Sequence, residues 1–251
     1  MLKSIIFLFI ATSAFCQQYD SVHIEKSKVD LDNLIYTVDR TYVFEYEVII
    51  NDTIRVLSNS TGNDFVLRLV GNDSILEQEI PLAIIKPKLF KRSNKKQTQA
   101  LYTFIVDSIT YEEYTGIVEN DINTWVHPPR FGFFKSLETC PFPYINQKIP
   151  LGESWNDKML IGDHYSNELW GVWNGNLLLN YEYTFTDIDT INTNLGQLEC
   201  QVIKALATST IGTSALTSYY SSTYGFVKLE YILFNGIKIN LYLKKVVDSK
   251  E

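Results

Sequence analysis

Histidine and cysteine are both scarce in this sequence, three of each in 251 residues. Their spacing suits neither metal nor redox chemistry. No CxxC pair and no HExxH helix occurs, so the chain carries no zinc signature. His23 sits in a polar leader, His127 stands before two prolines, and His164 follows Asp163 without a second ligand at i+2 or i+4. No metal site is expected. A Walker-type phosphate loop, a GxGxxG opening a helix and a G-x-S-x-G elbow are also missing. No nucleotide or other cofactor is expected either.

Positive charge is in short supply. Twenty-two Lys and Arg stand against 29 Asp and Glu, a formal net charge of −7. Contact with nucleic-acid phosphates needs clustered Lys and Arg, so a nucleic-acid partner is excluded. The one local reversal is residues 86–96, with Lys86, Lys88, Lys91, Arg92, Lys95 and Lys96. A run like this is a solvated loop or a patch for an anionic surface such as lipid head groups. Apolar runs of about 18 residues are absent, so the chain is not an integral helical membrane protein. A membrane β-barrel is disfavoured by the charges on the predicted strands, although their Lys/Glu and Thr/Ser faces would suit a lumen.

Proline is rare and concentrated, with five of seven between residues 128 and 150: Pro128, Pro129, Pro141, Pro143 and Pro150. Proline breaks helices and central strands. Residues 127–150 therefore read as an extended connector wrapped over the surface, with Phe131, Phe133, Phe134, Phe142 and Tyr144 packed down. It divides a β-rich half, 17–126, from a C-terminal meander, 151–251. One compact unit is expected rather than two domains.

What the chain does have is period-two alternation. Val227, Leu229, Tyr231 and Leu233 alternate with mostly polar residues, and so do Ile237, Ile239, Leu241 and Leu243 after Phe234-Asn235-Gly236. A two-residue turn would set Lys228 and Glu230 opposite Leu243 and Leu241. A three-residue loop with Gly236 left-handed, forming a G1 bulge, instead pairs 233 with 237, 231 with 239, 229 with 241 and 227 with 243. Upstream, Leu177, Leu179, Tyr181, Tyr183 and Phe185 face one way. Residues 187–196 read as a turn region, and a phase shift near Ile203 suggests a bulge. Earlier strands are expected at 42–50, 53–58, 101–106 and 111–118, and a hairpin about Gly71-Asn72-Asp73 joins 65–70 to 75–80. The fold class is all-β, an antiparallel curved sheet or open half-barrel ending in a β-meander.

The first 16 residues read as a secretory signal: Lys3, a short apolar core, then Ala14-Phe15-Cys16 before Gln17. Bulky Phe15 fits lipidation of Cys16 poorly. Export, to the periplasm, the outer envelope or the medium, leaves Cys140 and Cys200, a disulfide candidate in an oxidising compartment. The plainer reading is two buried thiols. Candidate chemistry is thin. A hydrolase would need His127 or His164 as base, with Cys140 one imaginable nucleophile. The paired acids Glu112-Glu113 and Asp187/Asp189 read as strand and turn residues. Trp155, Trp170 and Trp173 are core or, on a concave face, a platform for an apolar ligand.

Ala14-Phe15-Cys16-Gln17 and the block Ser218-Tyr219-Tyr220-Ser221, Tyr224-Gly225-Phe226-Val227-Lys228-Leu229 together resemble a group of exported, β-rich bacterial proteins of unknown function. Over the last third of the chain the resemblance implies a long-stranded half-barrel, as in periplasmic lipoprotein carriers, and carries over no site residue. The leading expectation is a non-enzymatic exported protein binding an apolar molecule or an envelope component. The alternatives are a hydrolase and a structural protein–protein interaction module.

Overall fold

The computed structural model describes residues 22–24, 29–59, 65–70, 78–86 and 96–248. The predicted signal, Cys16, the Gly71-Asn72-Asp73 turn and most of the basic run lie outside them. Among the described residues fourteen strands form one antiparallel sheet. The N-terminal half gives β1 (Arg40–Ile50), β2 (Thr53–Asn59), β3 (Phe65–Leu69), β4 (Glu79–Ile84), β5 (Thr98–Val106), β6 (Ile109–Glu119) and β7 (Asn123–Val126). Then come β8 (Tyr144–Asn146), β9 (Ser154–Ile161), β10 (Leu177–Thr193), β11 (Gly196–Ser209), β12 (Gly212–Ser221), β13 (Gly225–Ile232) and β14 (Lys238–Asp248). The spatial order is β8-β7-β6-β5-β4-β1-β14-β13-β12-β11-β10-β9, with β2 and β3 branching from β1. End strands β8 and β9 do not pair, so the sheet is a cup and not a closed barrel.

Local chemistry explains the turns. Asn51 and Asp52 both have positive φ (49° and 57°), as do Asp107 and Ser108 (49° and 67°). Each pair closes a two-residue type I′ hairpin, the conformation Asn and Asp tolerate best. The last hairpin takes the three-residue form: Leu229 faces Leu241, Tyr231 faces Ile239, and the Leu233 N–H donates to the Ile237 carbonyl at 2.9 Å. Gly236 has φ 83°. The fourth predicted pair, Val227 with Leu243, falls beyond the ladder, which ends at Lys228 and Tyr242. There β13 bulges against β12, so that Phe226 and Val227 are both buried.

Three expectations change. Residues 187–196 are not a turn region, because β10 runs on to Thr193 and pairs with β11 as far as Gly196. Alternation fades there because this distal arm projects beyond the main core, while its Thr and Ile residues still favour strand. The phase shift belongs to β10, where Thr186 is the extra residue opposite Val202 and Ile203, and both of those are buried. The predicted β3–β4 hairpin does not form, since β4 lies between β1 and β5. Pro81 sits one residue outside the β4–β5 ladder, which begins at Leu82, where a missing N–H is tolerated.

The largest change is the proline-rich stretch. It does not wrap the surface. Residues 132–145 are buried except Lys135, and a 3-10 helix (Gly132–Thr139) sits inside the cup. Phe134 is fully buried, edge-on to Tyr46 with ring centroids 5.0 Å apart. Phe133 meets Trp170, and Phe142 lies between Trp125 and Tyr181. The plug is pinned by polar contacts as well. The Ser214 hydroxyl donates to the Thr139 carbonyl at 2.6 Å, and the Tyr183 hydroxyl donates to the Phe142 carbonyl at 3.1 Å. Burying each such aromatic contributes roughly 1.5–3 kcal/mol. One apolar cluster thus joins residues from both halves and from the connector.

Candidate functional site

His127, the residue after β7, is half-buried against the plug. Its Nδ1 is 2.8 Å from the Pro128 carbonyl oxygen, and its Nε2 is 3.2 Å from Glu138 Oε1 on the 3-10 helix. Arg130 Nη1 lies 3.5 Å from the same Nε2, and Arg130 Nε pairs with Glu113 at 2.6 Å. Burial pushes the Glu138 carboxyl up to about 7 and the imidazole down to about 4. Burial favours the neutral form of both groups: Nδ1–H donates to the Pro128 carbonyl, Nε2 accepts from Arg130 Nη1, and the Glu138 carboxyl stands beside Nε2. With both nitrogens engaged and Trp125 and Phe142 against the ring, the pair ties the plug to the wall of the cup.

The other sequence candidates do not gather around it. His164 is exposed beside Tyr165, and His23 contributes its backbone to Asn120 and Asn123. Glu112 points outward while Glu113 holds Arg130, as adjacent strand residues must. Asp187 and Asp189 are exposed on the arm. Trp155 stacks on Tyr183, and Trp170 and Trp173 are buried, so all three are core. Cys140 and Cys200 are both free and buried, so the disulfide candidate is not formed. Cys140 belongs to the plug inside the cup. Cys200 faces away from Gln201, on the outer side of β11. Burial pushes the Cys140 thiol up to about 12 and the Cys200 thiol up to about 11. Among the described residues no group of three or more His, Cys, Asp or Glu is placed to hold a metal ion.

Open space lies at the rim. Residues 29–39 cross one end of the cup as a strap, and Glu119, at the end of β6, clasps it. Its carboxylate accepts N–H bonds from Leu34 (2.9 Å), Ile35 (2.8 Å) and Tyr36 (2.8 Å). Burial raises the Glu119 pKa, and the three donors oppose the rise. The Tyr36 hydroxyl accepts the Phe226 N–H, which locks the strap to β13. Asn123 and Asn120 hold the His23 backbone in the same region, at 2.8 and 3.0 Å. Between the strap and the β10–β11 arm opens a cleft of about 320 Å³, lined by Leu34, Asp121, Thr124, Glu199, Gln201 and Tyr220 among others. Leu34 is 83% exposed at its edge. Sequence reasoning missed this cleft, whose walls come from segments up to about 190 residues apart with no shared motif.

A curved antiparallel half-barrel closed over its own plug is the class these features define. No family model matches the sequence, and no curated protein matches it. Among solved structures the chain is similar to a candidate lipoprotein of Parabacteroides distasonis, with 12% identity, 85% of this chain and 97% of that one covered, and a TM-score of 0.46. It is also similar to a candidate exported protein with a YmcC-like fold from Bacteroides fragilis, with 11% identity, 84% and 96% covered, and a TM-score of 0.48. The hypothetical lipoprotein YmcC of Escherichia coli gives 14% identity, 89% and 93% covered, and 0.33. These are bacterial chains of the kind the sequence resemblance pointed to. Likeness at this level carries neither ligand nor activity from one chain to another. No helix among the described residues is long and apolar enough to cross a membrane.

Proposed function

We propose that this is an exported, non-enzymatic binding protein that docks an envelope component at its rim and carries no apolar molecule inside the cup. The filled interior carries this reading. Phe134, Leu137 and Phe142 occupy the concave face that a carrier would leave for its ligand. The apolar space that remains, beneath Tyr36 and beside Leu82 and Leu229, is about 10 Å³, far below the several hundred that a small-molecule site needs. Export itself rests on the leader sequence. The strap-end cleft is the docking position, with acid and amide groups inside and Leu34 at its edge.

Native mass spectrometry of protein exported and purified without detergent, before and after solvent extraction, tests the filled cup. The expected species is a bare chain with two hydrogens more than a disulfide-linked form. A reproducible lipid-sized adduct would overturn the reading. For docking, a photo-crosslinker replacing Gln201 is expected to give a discrete adduct in cells, and one replacing exposed Thr208 is expected to give none. Equal labelling at both positions removes the cleft from consideration.

A further inference from the structure

The turn between β6 and β7 holds a piece of polypeptide from far away in the chain. Asn123 is fully buried at the start of β7, and its carboxamide meets both main-chain groups of His23. The His23 N–H donates to Asn123 Oδ1 at 2.8 Å, and Asn123 Nδ2 donates to the His23 carbonyl at 3.2 Å. Asn120 Nδ2 donates to the same carbonyl at 3.0 Å. Both carboxamides are aimed by the turn itself. Asn120 Oδ1 accepts the N–H groups of Ile122 and Asn123, each at 3.0 Å, and Asn123 Nδ2 at 3.3 Å. Burial alternates along the held segment: Val22 lies in the apolar core, His23 is exposed, and Ile24 packs against the core.

We propose that this groove is a recognition site for an extended peptide of the form aliphatic–any–aliphatic, filled here by the chain's own residues 22–24, and that a partner's segment enters by displacing them. The contacts are those of strand addition. One carboxamide stands in for a neighbouring strand and pairs both main-chain groups of a single residue, and the aliphatic side chains on either side supply selectivity. An acyl chain has neither an N–H nor a carbonyl to offer. Leaving a buried carboxamide unmet costs its desolvation, so the groove calls for a peptide main chain, its own or another's. Val22 and Ile24 contribute apolar burial, which any aliphatic pair at that spacing repeats. Asn120 also lines the strap-end cleft, and Glu119 beside it clasps the strap, so the groove adjoins the docking position. The partner rests on the docking reading, and the groove rests on the contacts with residues 22–24.

The probe is a fluorescent peptide copying residues 20–26. The proteins are the exported wild type and its His23→Pro variant, which lacks the N–H that Asn123 accepts and so vacates the groove. Saturable binding to the variant is expected, with a Kd below about 1 mM. Binding to wild type should be about tenfold weaker, because its tethered segment competes at an effective concentration of about a millimolar. Methylating the nitrogen of residue 23 in the peptide should weaken binding about tenfold, and so should Val22→Ser with Ile24→Ser in the peptide, whereas His23→Ala there should not. Circular dichroism checks that the variant is folded. A second measurement uses wild type alone. At about 5 mM, several times the effective concentration of the tethered segment, a peptide with photo-leucine in place of Ile24 is expected to crosslink to residues 117–120, which border Ile24. No saturable binding to the folded variant, equal binding to both proteins, indifference to N-methylation, or crosslinks only elsewhere overturns the proposal. A Gln201 adduct in cells without peptide binding removes this groove and keeps docking at the rim. Peptide binding without that adduct keeps the groove and removes the cleft.

Discussion

Burial holds Glu138 and His127 in neutral forms that neither would keep in water, and this gives the two residues opposite pH signatures. Burial raises the Glu138 pKa from 4.5 to about 7. The native state therefore keeps a proton that the unfolded chain has released, so this contribution is full below 4.5 and is lost as pH rises to about 7. His127 falls from 6.5 to about 4. The unfolded chain binds its proton first, and stability is lost as pH falls through that window. Between 4.5 and 6.5 the two slopes oppose each other. Above it the acid penalty stands alone. Glu138→Gln keeps the size and polarity of the side chain and removes the titration. The variant is expected to gain about 2 kcal/mol over wild type at pH 8, with little difference at pH 5, read from denaturant midpoints. An equal shift at both pH values would mean that the carboxyl is not strained by burial. Sequence gave no access to this pair. His127 was legible as a candidate base, but its partner depends on the plug folding back beside β7.

Among the elements, legibility followed the range of the interactions. The β13–β14 hairpin was readable because its register is decided by residues a few positions apart, and one left-handed Gly236 settles the loop. The Thr186 bulge was half readable, since a phase slip in one strand does not say which partner holds the extra residue. The plug was misplaced. Its prolines speak of irregular backbone, but whether irregular backbone lies outside or inside is decided by Tyr46, Trp125, Tyr181 and Trp170, far away in sequence. The strap was invisible for the same reason, because Glu119 binds N–H groups 83 to 85 residues earlier. Glu119→Ala would leave those three donors without an acceptor, at about 1–3 kcal/mol for each buried group. Hydrogen exchange at Leu34, Ile35 and Tyr36 is expected to accelerate while β11 to β13 keep their protection, and Glu119→Gln should restore part of it. Unchanged exchange at those three amides would show that other contacts, such as the Phe226 N–H to the Tyr36 hydroxyl, hold the strap without Glu119.

At the scale of the whole molecule, the curved open sheet was legible from composition and alternation, and the strand order was not. Nothing in β1 announces that it divides its edge, pairing β4 through residues 41–45 and β2 through 48–50. We propose that the described chain unfolds as one cooperative unit, because the plug packs against strands from both halves. Tryptophan fluorescence and far-ultraviolet circular dichroism should then report coincident transitions. Two separated midpoints would divide the chain near the connector instead.

The pairing of β1 with β14 has a consequence in time. Among the described residues the first strand and the last lie side by side, joined from Arg40 opposite Asp248 to Ile49 opposite Lys238. A chain made from its N-terminus therefore holds that edge of β1 open until β14 has been made. The seam down the middle of the sheet is sewn by the final strand. Until then each growing chain offers its neighbours one unpaired edge of β1, although the other edge already has β2 and β4.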